Sequence, residues 1–153
     1  MVIHTNEINE KLKNPNEFLL SSENKILNQI DECAKKILPL KDTKPIILIS
    51  GPSGSSKTTT AIKLAKMLRG HGADVCYISM DKYFKNFSEE ERALKKLNKL
   101  DLESPDRVDA EYLNKDIDTL LNGGEIYLPN YDFLTNKRTL SQTKLSKNGG
   151  FVI

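Results

Sequence analysis

One stretch constrains the fold of this chain more than any other: Ile46-Ile47-Leu48-Ile49-Ser50-Gly51-Pro52-Ser53-Gly54-Ser55-Ser56-Lys57-Thr58-Thr59-Thr60. An apolar run is broken by small residues and followed by a helical pattern, which reads as strand, loop, helix. A loop of glycine and serine leaves backbone N–H groups uncovered, and with the N-terminus of the next helix they can surround a polyphosphate. Lys57 then brings a cation to the β- and γ-phosphates, and the Thr58 hydroxyl reaches the Mg2+ that bridges the same oxygens. Gly51, Lys57 and Thr58 keep the spacing of G-x-x-x-x-G-K-[ST], but Ser56 stands at the second glycine. Glycine serves there because the backbone must approach the phosphates closely, and Gly54 two residues earlier does not remove the Cβ of Ser56. The competing reading is a Gly/Ser turn with no ligand.

At 153 residues the chain suits one domain with a single core. Its net charge of +2 gives no reason to expect a nucleic-acid or membrane partner. The apolar runs are too short for a transmembrane span or a secretory h-region. Cys33 and Cys76 lack metal-ligand spacing and read as two reduced core thiols, so a cytoplasmic location is expected.

Residues 1–20 are polar and weakly patterned, a short helix or a loose arm. From Ser22, Ile26, Ile30, Cys33, Ala34, Ile37 and Leu38 recur at helical spacing until Pro39. Lys41 to Pro45 form a polar link into a central strand. The organisation read from this is an N-terminal helical extension with linker over 1–44 and one domain over 45–153. After the loop, Ala61, Leu64, Ala65 and Leu68 predict a helix over 57–69, stopped by Gly70 and Gly72. Val75 to Ser79 is rich in β-branched and aromatic residues without strict alternation, the pattern of a parallel strand buried on both faces.

Strand, helix, strand is a βαβ unit, and ligands of open α/β sheets bind beyond the carboxyl ends of the strands. Asp81 falls on that rim, where a carboxylate can take a proton from a substrate hydroxyl or bind Mg2+ through water, or else simply cap a turn. Ser88 and Glu91 form a capping box for a helix with Ala93, Leu94, Leu97 and Leu100 on one edge. Four carboxylates lie in the nine residues 101–109, of which Asp109 reads as the N-cap of a helix ending at Gly123-Gly124. One or two of the four suit sugar hydroxyls; loop and cap chemistry is the alternative. Residues 125–133 read as a short strand leading to aromatics at spacing two, and Asn136-Lys137-Arg138 as a turn into another strand. Neighbouring aromatics can clamp a flat base or merely pack in a core.

Taken together, four blocks carry a resemblance: 51–59, Ile78 to Phe84, Leu102-Glu103-Ser104-Pro105-Asp106, and Leu128 to Arg138. They occur in the order and spacing seen in the uridine kinase and phosphoribulokinase family, and look most like the bacterial uridine-kinase-like proteins. The resemblance covers roughly 22–153 and implies a P-loop NTPase-type parallel sheet flanked by helices, with ATP and Mg2+ as cofactors. It also implies phosphoryl transfer from ATP to the 5′-hydroxyl of a nucleoside. By matching position, Gly51, Pro52, Ser53, Gly54, Ser55, Ser56, Lys57, Thr58 and Thr59 bind the nucleotide, and Thr58 the metal. Asp81 is the catalytic base alongside Lys57, Glu103 binds the ribose, and Tyr131 and Phe133 hold the base, with Phe84, Asn136 and Arg138 completing the substrate site.

The same resemblance marks departures. Phe84 stands where family members often have tyrosine, and Asn136 where animal uridine kinases have a histidine that reads the pyrimidine. Family members continue past the strand at 151–153 into an acidic Mg2+-binding segment and an arginine-bearing lid, so this stretch is expected to be an incomplete kinase domain, weak or inactive on its own. A catalytically impaired nucleotide-binding module, or a kinase for a sugar phosphate or pantothenate, are the other readings. The implied partner is a nucleoside or other small-molecule alcohol; a homo-oligomer is left open.

Overall fold

The computed structural model describes residues 4–102, 104–147 and 149–153. Two N-terminal helices come first, α1 (Thr5–Lys11) and α2 (Pro15–Ile37). The second begins seven residues before the expected Ser22. Pro15 sits in its first turn, where a missing N–H costs nothing. The stretch 15–21 holds no buried residue, Leu19 and Leu20 being exposed, so its apolar periodicity is weak in the sequence.

The sheet is parallel, and its middle strand comes from the chain's last described residues. Val75 pairs with Phe151 and Cys76 with Val152 in parallel register, joining β1 (Val75–Cys76) to the 151–152 pair. On the other side Ile46 bridges Val152, also parallel. The ladder extends through Ile78, whose amide donates to the Ile153 carbonyl at 2.8 Å, although the strand itself is shorter than the expected 75–79. Segment 45–49, expected at the centre, therefore lies at an edge among the described residues, with Leu48 84% exposed.

Alternation along these strands builds two cores, because successive side chains point to opposite faces. Val75, Phe151 and Ile153 join Ile30 and Ala34 of α2 and Ala61, Leu64, Ala65 and Leu68 of α3 (Lys57–Gly70). Cys76, Ile78 and Val152 face the other way, onto Leu113 and Leu120 of a later helix and onto Ile126 and Leu128 of a β-hairpin. Helix α4 is Glu89–Lys96, α5 is Ala110–Leu121, and the hairpin pairs β2 (Glu125–Asp132) with β3 (Lys137–Ser146) in antiparallel register. Val152 belongs to strand β4 (Phe151–Val152).

Local chemistry sets these boundaries. The Ser88 hydroxyl accepts from the Glu91 amide while Glu91 accepts from the Ser88 amide, the expected capping box, but α4 ends at Lys96 before reaching Leu100. Asp109 caps α5 by accepting from the Tyr112 amide at 3.1 Å. Cys76 is buried as expected, whereas Cys33 is exposed: it lies off the Ile30/Ala34 stripe through which α2 meets α3. Among the described residues no helix is long and apolar enough to cross a membrane.

Candidate active site

Parallel pairing on both sides of 151–153 puts the carboxyl ends of segments 45–49 and 75–78 on one rim of the sheet. The loop 51–56 leaves one of those ends. The turn carrying Asp81, a 3-10 helix over Met80–Tyr83, leaves the other.

The loop's shape depends on small residues. A Cβ on Gly51 would come within 2.7 Å of Ser55 Oγ, so a side chain here requires the Ser55 hydroxyl to turn away. Gly54 (φ 75) and Ser56 (φ 61) are both left-handed. The glycine normally found at position 56 thus has a conformational basis in addition to close approach: serine here adopts a backbone that L-residues enter at a cost. Ser56 is also the N-cap of α3, and its side chain makes no capping bond. The amides of Lys57, Thr58 and Thr59 open the helix and have no intrahelical acceptor, as any first turn must. They face a loop whose residues 51–56 are exposed.

Lys57 Nζ donates to the Pro52 carbonyl at 2.9 Å, lying back across the loop, and the Ser55 amide donates to the same oxygen at 3.2 Å. Thr58 is exposed at the same end of the helix. Oriented amides, one ammonium and one hydroxyl are a donor set that fits a polyphosphate and an oxygen-ligated cation. Among the described residues no cluster of His, Cys, Asp or Glu is arranged to hold a metal by itself.

Asp81 is exposed on its turn, which is fixed from behind. Tyr83 is fully buried, and burial, reinforced by the bond its hydroxyl donates to Asp116, pushes its phenol far above the ordinary range. Phe84, next along, is extended and bridges Val108. Three of the expected substrate residues meet here. Phe84 lies edge-on to Tyr131 with centroids 5.5 Å apart and to Phe133 at 6.1 Å, and Tyr131 and Phe133 are 5.1 Å apart. Tyr131 is buried, whereas Phe133 is 58% exposed. The turn that presents Phe133 is shaped by Asp132, whose carboxylate accepts from the Thr135 hydroxyl at 2.7 Å and the Leu134 amide at 2.8 Å; these bonds hold it below the usual carboxylate range.

The remaining expected residues are placed differently. Asn136 sits in the turn with φ 55, and its Oδ1 accepts from Lys95 Nζ at 3.1 Å. Arg138 turns to Asp109 at 2.9 Å and lies 4.8 Å over the Tyr112 ring, while its backbone amide donates to Asn86 Oδ1 at 2.6 Å. Burial pushes the Asp109 carboxyl up, but the Tyr112 amide and the Arg138 guanidinium outweigh it and leave it below its ordinary value. Glu103 lies outside the described residues. Sequence reasoning missed Lys95, Tyr83 and Asp116, whose partners are 33 to 41 positions distant and have no local signal.

A parallel sheet between helices, with a left-handed glycine-bearing loop at its carboxyl rim running into a helix that starts on lysine, makes this a P-loop α/β protein of the kind kinases are built on. The phosphoribulokinase / uridine kinase family matches residues 46–152, and the chain belongs to that family. The uridine kinase of Borreliella burgdorferi is 34% identical over 95 residues, which are 62% of this chain and 43% of that protein. Uridine-cytidine kinase 2-B of Danio rerio is 26% identical over 98 residues, 61% of this chain and 38% of that one. A solved structure of a possible uridine kinase from Bacillus stearothermophilus shares the fold with a TM-score of 0.61 at 24% identity, covering 82% of this chain and 67% of that one. The chain spans less than half the length of these curated relatives.

Proposed function

We propose that the chain carries the nucleotide and acceptor sites of an ATP-dependent kinase that phosphorylates the 5′-hydroxyl of a nucleoside, with 45–153 as the kinase domain and 1–44 as its helical extension. The observation that carries this reading is the triangle of Phe84, Tyr131 and Phe133, whose exposed member leaves an aromatic face on which a base can stack. A site for a small aliphatic acceptor has no use for such a face.

In this reading the amides of 54–59 and the Lys57 ammonium bind the phosphates and offset the negative charge that gathers on the transferring group. Thr58 would hold Mg2+, which would supply neutralisation of the negative charge on the phosphate oxygens. Asp81 accepts the proton of the acceptor hydroxyl, Glu103 binds the ribose, and Tyr131, Phe133 and Phe84 hold the base, with Asn136 and Arg138 at its edge. The left-handed Ser56 and the Lys57 bond to Pro52 also support a second reading, a nucleotide-binding module impaired in catalysis.

Saturation-transfer NMR on the 153-residue chain, with uridine, a pentose phosphate and pantothenate in turn, tests the acceptor class. Saturation reaching the base protons of uridine, and neither of the other compounds, is the expected result. Transfer to the pentose phosphate or to pantothenate with none to uridine overturns it.

A further inference from the structure

Helix α4 is locked in place at its N-terminal end. Glu91 caps it through one carboxylate oxygen and pairs with Arg107 at 2.7 Å through the other, and Arg107, only 5% exposed, stacks 3.9 Å over the Phe87 ring and donates to the Lys85 carbonyl at 3.1 Å. One turn after Glu91, and therefore on the same face of the helix, stands Lys95. Its ammonium lies 5.1 Å over the same Phe87 ring and donates to Asn136 Oδ1 at 3.1 Å, across the hairpin turn that presents Phe133.

The ammonium can only donate, so the atom facing it is the amide oxygen of Asn136 and not its nitrogen. The Asn136 NH2 is left pointing away, with one contact to the Leu134 carbonyl at 3.4 Å. A cation and an amide NH2 thus stand together at the hairpin turn that carries Phe133. An amine brought to the spare lone pair of Oδ1 meets the positive charge beside it. A carbonyl is met by donors.

We infer that Lys95 is a specificity-determining residue: by holding Asn136 oxygen-inward it sets the edge of the acceptor site to donor character, selecting a base that presents a carbonyl there over one that presents an amine. Uracil carries a carbonyl at the position where cytosine carries an amine, so the pair is a direct probe. The inference rests on the nucleoside reading above. Lys95 is a positioning residue acting through Asn136, so its signature is a change in preference between two bases and not a general loss of affinity.

The test is calorimetric titration of the chain with uridine and with cytidine, repeated for Lys95→Met, which keeps the aliphatic stem over Phe87, and for Lys95→Arg, which keeps a donor cation. The unaltered chain and Lys95→Arg are expected to bind uridine roughly tenfold more tightly than cytidine. In Lys95→Met the Asn136 amide is free to turn over, and the ratio falls to within about threefold with binding to both retained. A ratio unchanged in Lys95→Met, or equal binding of both by the unaltered chain, overturns the role of Lys95 and leaves the nucleoside site standing. Binding of neither nucleoside by the unaltered chain overturns both.

Discussion

The Tyr83 hydroxyl donates a hydrogen bond to the Asp116 carboxylate across 2.8 Å, tying the turn that carries Asp81 to the middle of α5. Both side chains are buried. Burial raises the Asp116 carboxyl above its ordinary value, and the Tyr83 bond pulls it back only in part. A buried acceptor left without its donor incurs its full desolvation penalty. Tyr83→Phe is therefore expected to lower unfolding stability by about 1–3 kcal/mol in urea titrations. Adding Asp116→Leu to it should recover most of the loss, since the stranded acceptor is then gone.

The aromatic triangle separates a structural role from a binding one. Tyr131 is buried and Phe133 mostly exposed. Tyr131→Ala should cost about 3 kcal/mol or more of stability, as large aromatic truncations in cores do. Phe133→Ala should cost under about 1 kcal/mol, yet weaken uridine binding roughly tenfold or more through the lost stacking. Denaturant curves and calorimetry on the two variants check both halves. A Phe133→Ala chain that binds uridine unchanged contradicts the base-holding assignment.

Ser56 is a conformational misfit at φ 61. Ser56→Gly removes a left-handed cost of about 1 kcal/mol and gives back about 0.5–1 kcal/mol in unfolded-state entropy, so net stability should barely move. Mg2+·ATP affinity is expected to rise, because the Cβ beside the phosphates is also gone. Titration of both chains decides the matter. Binding confined to the glycine variant favours the impaired module, and weaker binding by that variant contradicts the loop assignment.

Asp31 on α2 makes bonds to Lys35 and, at 2.7 Å, to His71 just past α3; the Lys35 bond first, then the His71 bond, hold its carboxyl below the ordinary value. A depressed carboxylate stabilises the fold above its unfolded pKa of about 3.9, and the contribution is lost as pH falls through the lower folded value. Protection factors of α2 amides, corrected for intrinsic exchange, should therefore fall below about pH 4 more steeply in the native chain than in Asp31→Asn. Equal pH profiles would count against this tie. Asp116, shifted the other way, works in the opposite sense: its ionisation opposes folding as pH rises through its elevated folded value.

Much of this architecture is local and hence legible in the residues themselves. The run 46–60, the Ser88/Glu91 box, the Asp109 cap and the turn near Asn136 each rest on contacts within a few positions. What was not legible depends on distant partners. The place of 151–153 between the two earlier strands is set by pairing across some seventy residues or more. The start of α2 and the exposure of Cys33 follow from which stripe of α2 meets α3. The partners that hold Arg138, Asp109 and Tyr112, lie more than twenty positions from it and leave no local signal.

The grip of loop 51–56 and the head of α3 on a triphosphate tail underlies every functional step proposed. Calorimetric titration of Mg2+·ATP into the 153-residue chain and into Lys57→Met tests it most directly. The account predicts saturable binding by the first and at least a tenfold loss, about 1.4 kcal/mol, in the second, as removal of a charge-assisted contact requires. Binding indifferent to Lys57, or none at all by the unaltered chain and by Ser56→Gly alike, would contradict it.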